Sequence, residues 1–251
     1  MSFTSRQWVK RGIRTAWWLW TRRLEAAAVH ENRSDYKQTW ERLAVSESDA
    51  KMYVASDVDE RSFRQSAATT VATLDRLVGI GPTDEILEIG CGVGRVGAAL
   101  APRCARWIGA DISGNMLRHA RRRLAGATNV AFVELSGAGL REIPSGTVDV
   151  VYCTVVFMHL LEWDRYAYIE EARRVLRPGG RLYADNVDIR SGLGWTIFSD
   201  AASYPPKERP SFIPMLSSGD ELQTYAERAG FHDVRVHRWD DAWVAVTGRR
   251  P

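Results

Sequence analysis

The stretch Glu85-Ile86-Leu87-Glu88-Ile89-Gly90-Cys91-Gly92-Val93-Gly94-Arg95 limits most sharply what this chain can fold into. Ile86, Leu87 and Ile89 read as a short buried strand. Three glycines then alternate with other residues. Glycine reaches positive φ and carries no Cβ, so a ligand can approach the backbone closely there. A helix expected from about Arg95 to Leu100 would turn its free N–H groups toward the same space. Glu88 falls at the carboxyl end of the strand, where open α/β sheets bind their ligands. A strand, a tight glycine turn and a helix in that order predict a parallel α/β sheet.

Glu88-x-Gly90-x-Gly92-x-Gly94 resembles the first motif of the class I S-adenosylmethionine (SAM)-dependent methyltransferases. The resemblance implies that Gly90, Cys91, Gly92 and Gly94 wrap the amino-acid end of SAM and that Glu88 orients it. Gly92-Val93-Gly94-Arg95-Val96-Gly97 also fits the Gly-x-Gly-x-x-Gly fingerprint of dinucleotide sites. The turn by itself therefore leaves NAD open, as well as a bare strand-to-helix turn that binds nothing.

The following segments narrow the choice. Trp107 to Asp111 reads as a second strand, with Asp111 standing 17 residues past Gly94. A carboxylate there accepts from both ribose hydroxyls of a bound nucleoside, which suits SAM and NAD alike. Ser113 is the expected N-cap of the next helix. By resemblance, Ile112 and Met116 lie against the adenosine. Asn129 to Glu134 is the third strand. The family usually follows it with Gly-Asp-Ala, whereas this chain has Leu135-Ser136-Gly137-Ala138. Ser136, Gly137 and Ala138 are therefore the expected adenine contacts. Val150 to Thr154 is the fourth strand, almost wholly apolar as a central parallel strand should be. Thr154 at its end is expected beside the cofactor. His159 matches one histidine of the family's His-His-Leu and is the candidate base for a hydroxyl acceptor; packing beneath the cofactor is its other reading.

The turn Arg177-Pro178-Gly179-Gly180 separates the two fingerprints. It closely resembles the family's helix-turn before the fifth strand and has no fixed place in dehydrogenases. A fifth strand is expected from Arg181 to Val187, and Phe231–Arg238 and Ala242–Gly248 read as an antiparallel pair. By resemblance, the fold is α/β, a seven-stranded, mostly parallel Rossmann-like sheet in the order 3-2-1-4-5-7-6, covering roughly residues 83–248. Residues 1–79 form an N-terminal helical extension, and 80–251 the SAM-binding domain with an irregular substrate loop at 188–218. Helical stretches are expected at 34–55 and 59–78. Tyr36, Trp40 and Tyr53 on the first, Asn186 and Asp188 beside the fifth strand, and Trp195 and Tyr204 in the loop are the candidate acceptor residues.

Composition settles the class more than the partner. The three cysteines show no metal-ligand spacing, their number is odd and each lies in an expected buried element, so a reducing compartment without disulfides is expected; no metal ligands are assigned and metal dependence stays open. No run of about 18 apolar residues and no cleavable leader is evident, so a cytoplasmic protein is expected. A net charge of +3 is too small to argue for nucleic acid. Five of the ten tryptophans fall within the first 40 residues, among Arg6, Lys10, Arg11, Arg14, Arg22 and Arg23. At helical spacing, Trp8, Ile13, Trp17, Trp20 and Leu24 share one half of a helix. That face has four destinations open to it: its own domain, a second subunit, a membrane interface met by residues 6–24, or nucleic-acid bases stacked on its aromatic residues. The expected function is methyl transfer from SAM to a small-molecule or glycan hydroxyl. A lipid or membrane-bound acceptor, or a SAM-fold module without catalysis, are the alternatives.

Overall fold

Seven strands form one sheet in the order β3-β2-β1-β4-β5-β7-β6. The structure is a computed structural model, and it describes residues 33–55, 58–205, 213–240 and 242–251. The strands are β1 (Glu85–Ile89), β2 (Arg106–Asp111), β3 (Val130–Glu134), β4 (Val148–Cys153), β5 (Leu176–Val187), β6 (His232–Trp239) and β7 (Trp243–Arg249). The first five are parallel, and β7 runs antiparallel between β5 and β6. The helices are α1 (Tyr36–Leu43), α2 (Glu47–Ala55), α3 (Glu60–Leu77), α4 (Gly97–Leu100), α5 (Gly114–Arg123), α6 (Glu162–Val175), α7 (Gly192–Ser203) and α8 (Gly219–Arg228). The tryptophan- and arginine-rich residues 6–24 lie outside the described residues.

Alternation along each strand divides the core into two layers. Leu87, Ile89, Ile108, Val151, Leu182 and Val246 face one way and pack with Ile169 of α6 and Leu222 of α8. Ile86, Trp107, Val150, Tyr152 and Tyr183 face the other way and pack with Leu74 of α3 and Leu117 of α5. Trp107 is wholly buried. A Cβ on Gly97 or Gly109 would collide with its ring, so those two glycines leave the space the indole fills.

Four local findings refine the sequence reading. The stretch 34–55 is two helices, because Ser46 accepts from Asp49 N–H and starts a new helix after Ala44 and Val45. The helix after the glycine turn is a single turn, Gly97–Leu100, followed by a 3-10 turn at Ala101–Arg103. Arg177–Gly180 is a bulge inside β5, since Val148 pairs with Leu176 and Val150 with Arg181. Finally, 188–218 holds a helix: Ser191 caps α7 by accepting from Gly194 N–H.

Candidate functional site

The carboxyl ends of β1, β2 and β4 open into a cleft of about 840 Å³, measured out to its mouth. Gly90, Gly92 and Gly94 all have positive φ, 69°, 53° and 74°. Each is also crowded. A Cβ on Gly90 would strike Val156, one on Gly92 would lie 2.8 Å from Val54 of α2, and one on Gly94 would lie 2.5 Å from Leu124. The turn is thus pressed between α2, the end of α5 and the segment after β4, and bare backbone forms the cleft floor.

Asp111 holds this floor in place. Its carboxylate accepts from Gly92 N–H at 2.8 Å and from Ser113 N–H at 2.9 Å, tying the glycine turn to the end of β2. Burial pushes its pKa up to about 6, against those two hydrogen bonds. Glu88 is buried one strand away and accepts from the Tyr152 hydroxyl, which in turn accepts from Trp107 Nε1 at 3.3 Å. Burial pushes Glu88 up to about 8, opposed by the Tyr152 hydrogen bond and the Arg95 guanidinium.

The roof comes from α1. Tyr36 donates to Asp164 at 2.6 Å and accepts from Leu161 N–H at 3.0 Å. Five residues on, the Glu41 carboxylate accepts from Gly114 N–H at 2.7 Å and Asn115 N–H at 3.1 Å, at the N-terminus of α5. Pinned at both ends, α1 places Trp40 over the cleft, edge-on to His159 with centroids 4.8 Å apart. Burial, with the Arg33 and Arg165 charges, holds His159 well below its ordinary pKa. Opposite, Val155 sits at φ +61°, costly for a β-branched residue. Asp185 holds that turn by accepting from Val155 N–H at 2.8 Å and from the Thr154 hydroxyl at 2.7 Å.

Of the residues singled out from the sequence, Glu88, Gly90, Cys91, Gly92, Asp111, Ile112, Met116, Thr154, Tyr36, Trp40 and His159 all line this one cleft. The others fall elsewhere. Gly94 packs against α5. Ser136, Gly137 and Ala138 line a separate hollow with Arg141 and Glu142, because Ser136 N–H is drawn to the Glu142 carboxylate and the chain turns away. Asn186 is consumed by Met215 O and the Ser217 hydroxyl, and Asp188 by Arg238 and Arg190 N–H. Trp195 is exposed on α7, stacked on Phe198, and Tyr204 lies at the end of that helix, away from the lining. Tyr53, expected as a pocket wall, also lines the cleft, whereas sequence reasoning missed Arg95 and Tyr168. Tyr168 recurs at helical spacing like an ordinary core residue, and only Arg95, charged beside the glycine turn, carried a local signal.

A family profile described as a methyltransferase domain matches residues 86–180. Trans-aconitate 2-methyltransferase of Afipia carboxidovorans is 30% identical over 214 residues, covering 77% of this chain and 77% of that protein. This chain belongs to the class I SAM-dependent methyltransferases. A second relative of this methyltransferase, 27-O-demethylrifamycin SV methyltransferase of Amycolatopsis mediterranei, is 32% identical over 68% of this chain and 63% of that protein. A Haemonchus contortus phosphoethanolamine N-methyltransferase, solved with phosphomonomethylethanolamine and S-adenosylhomocysteine, shares the fold. Its TM-score is 0.68 at 16% identity, over 86% of this chain and 60% of that one. The chain spans 54% and 33% of the length of two other curated proteins it matches.

The cleft fits the family's donor. Its floor is glycine backbone that a ligand can approach closely, Asp111 at the end of β2 would meet a ribose, and Glu88 beside the turn would meet the amino-acid end. Among the described residues no group of three metal-ligating side chains occurs, and no helix is long and apolar enough to cross a membrane.

Proposed function

We propose that this chain transfers the methyl group of SAM to a hydroxyl oxygen of a small molecule held against the aromatic half of the cleft. One observation carries the reading: a single cavity joins Glu88, the glycine turn and Asp111 to a wall of Tyr36, Trp40, Tyr53, His159 and Tyr168. SAM, when bound, supplies a methyl already activated on a sulfonium sulfur. The chain's own work is placement. The α1 roof and the Val155–Val156 turn exclude water and confine the acceptor, and such confinement is worth a large part of a transfer barrier.

His159 bears on the acceptor's chemistry. Held well below its usual pKa, it accepts a hydrogen bond readily but keeps a proton poorly. An acceptor whose own hydroxyl is acidic, a phenol or an enol, suits that environment better than a sugar alcohol. The aromatic wall supports the same choice over a glycan. The rifamycin relative, named for an O-demethylated compound, is consistent with an oxygen acceptor.

An amine is the second reading, since aromatic faces attract cations and the nematode neighbour binds phosphomonomethylethanolamine. Transfer from radiolabelled SAM to panels of phenols, enols, sugars and amines tests the proposal. Labelling confined to the amines would overturn the oxygen reading. We assign residues 1–79 as a cap and 80–251 as the catalytic domain, in a cytoplasmic protein that touches membrane through residues 6–24. Liposome binding unchanged by removal of residues 1–30 would refute that contact.

A further inference from the structure

Arg95 is the one charged residue of the cleft that the account above leaves without a task. It directly follows the glycine turn and is 8% exposed. A guanidinium carries five N–H donors. Here Nη1 reaches the hydroxyls of Ser66 and Thr70 on α3, both at 3.3 Å, the long end of hydrogen bonding. Nε is buried and has no partner among the described residues. Glu88 and Asp185 act on Arg95 through space, but among the described residues no carboxylate forms an ion pair with it. A buried cation whose donors are this poorly filled is costly to maintain, and it stands in the wall of a cavity beside Gly90, Cys91 and Gly92.

We propose that Arg95 is the seat of the donor's carboxylate, gripping the methionyl carboxylate of SAM while Glu88 meets the ammonium of the same end. The inference rests on reading the cleft as the SAM site. The two groups are of opposite formal charge and flank the same turn, which matches the zwitterion of an α-amino acid. Ser66 and Thr70 hold the guanidinium from behind. A planar fork held in this way accepts a carboxylate with little loss of freedom. The anchor also accounts for the cleft's charge pattern: Asp111 and Glu88 are the acids on the nucleoside and amine sides, and Arg95 is the base between the turn and α3.

Calorimetry on the full chain tests this without an acceptor. Three probes are compared: S-adenosylhomocysteine, its decarboxylated analogue, and 5′-methylthioadenosine, which lacks the whole amino-acid end. In Arg95→Met, S-adenosylhomocysteine should weaken by on the order of 10- to 100-fold, the range of a charge-assisted hydrogen bond. The other two probes should change by less than about threefold by the same arithmetic. Arg95→Lys should recover part of the loss. Retained binding of 5′-methylthioadenosine shows that the variant is folded. Equal weakening of all three probes would make Arg95 a structural residue and overturn the proposal, as would unchanged affinity for S-adenosylhomocysteine. A wild-type chain that binds none of the three would instead refute the SAM site itself.

Discussion

Replacing Glu88 by Gln should flatten the stability of the ligand-free protein against pH. Glu88 is buried and its pKa is pushed from 4.5 up to about 8, chiefly by burial. In the unfolded chain the same carboxyl loses its proton near 4.5. Between those two values the folded state holds a proton that the unfolded state has released, so stability falls as pH rises. The contribution is complete below about 4.5 and is lost by about 8. At about 1.4 kcal/mol per pH unit the loss approaches 5 kcal/mol across the window. Asp111, pushed up to about 6, adds a slope of the same sign at lower pH and flattens first. His159, held below its ordinary range, adds a slope of opposite sign up to about pH 7, and Asp185 is raised as well, so Glu88 is read from the difference between the wild type and Glu88→Gln. Gln keeps an oxygen that can accept from Tyr152, so the hydrogen bond survives. Urea unfolding at half-unit steps from pH 5 to 9 should show the wild type losing stability relative to Glu88→Gln up to about pH 8. Parallel curves for the two proteins would refute the argument. The same proton couples to the donor: S-adenosylhomocysteine should bind the wild type more tightly as pH rises toward 8, with a proton released on binding.

Other substitutions probe other parts of the site. Gly90→Ala forces a side chain onto a positive-φ residue and into Val156; it should cost about 2–5 kcal/mol by thermal unfolding, from strain plus overpacking. Arg165→Met removes a buried guanidinium that bonds Phe157, Leu160, Met215 and Leu216 carbonyls, the Ser217 hydroxyl and Glu221. Its loss should cost about 3–5 kcal/mol in urea and expose the 213–217 segment to protease; an unchanged midpoint would contradict that role. Trp40→Ala should leave S-adenosylhomocysteine affinity within about threefold while raising KM for any acceptor found in the screen. An equal loss of both would make Trp40 a donor wall. Glu41→Ala should lower stability by about 1 kcal/mol, as loss of a helix cap does, measured by the shift in thermal midpoint.

The sheet and the donor end were legible because their signals are local. Apolar runs of β length, a turn of alternating glycines and an acid closing β2 each occupy fewer than a dozen residues. What escaped depends on distance along the chain. Glu41 meets α5 from more than 70 residues away, and Arg165 gathers the 215–217 carbonyls from about 50. No periodicity encodes either contact. The break after α1 was hidden because the apolar spacing runs on through Ala44, and only the Ser46 cap marks it. In α7, Gly192, Gly194 and a run of Trp, Thr, Ile and Phe favour helix weakly. The Ser191 cap and the burial of Ile197 against the core outweigh that composition. Asn186 and Asp188 look like free polar groups at a sheet edge, yet the 215–217 strap and Arg238 take up their hydrogen bonds.

The α1 helix carries two separate duties on neighbouring residues. Glu41 clasps the helix that follows Asp111, and Trp40 looks into the part of the cleft where we place the acceptor. Exchanging the ring at position 40 would thus retune which compounds are accepted while the grip on the donor stays as it is. A lineage, or an engineer, can change the clientele of this enzyme by editing one surface of eight residues, leaving the strands and their glycine turn untouched.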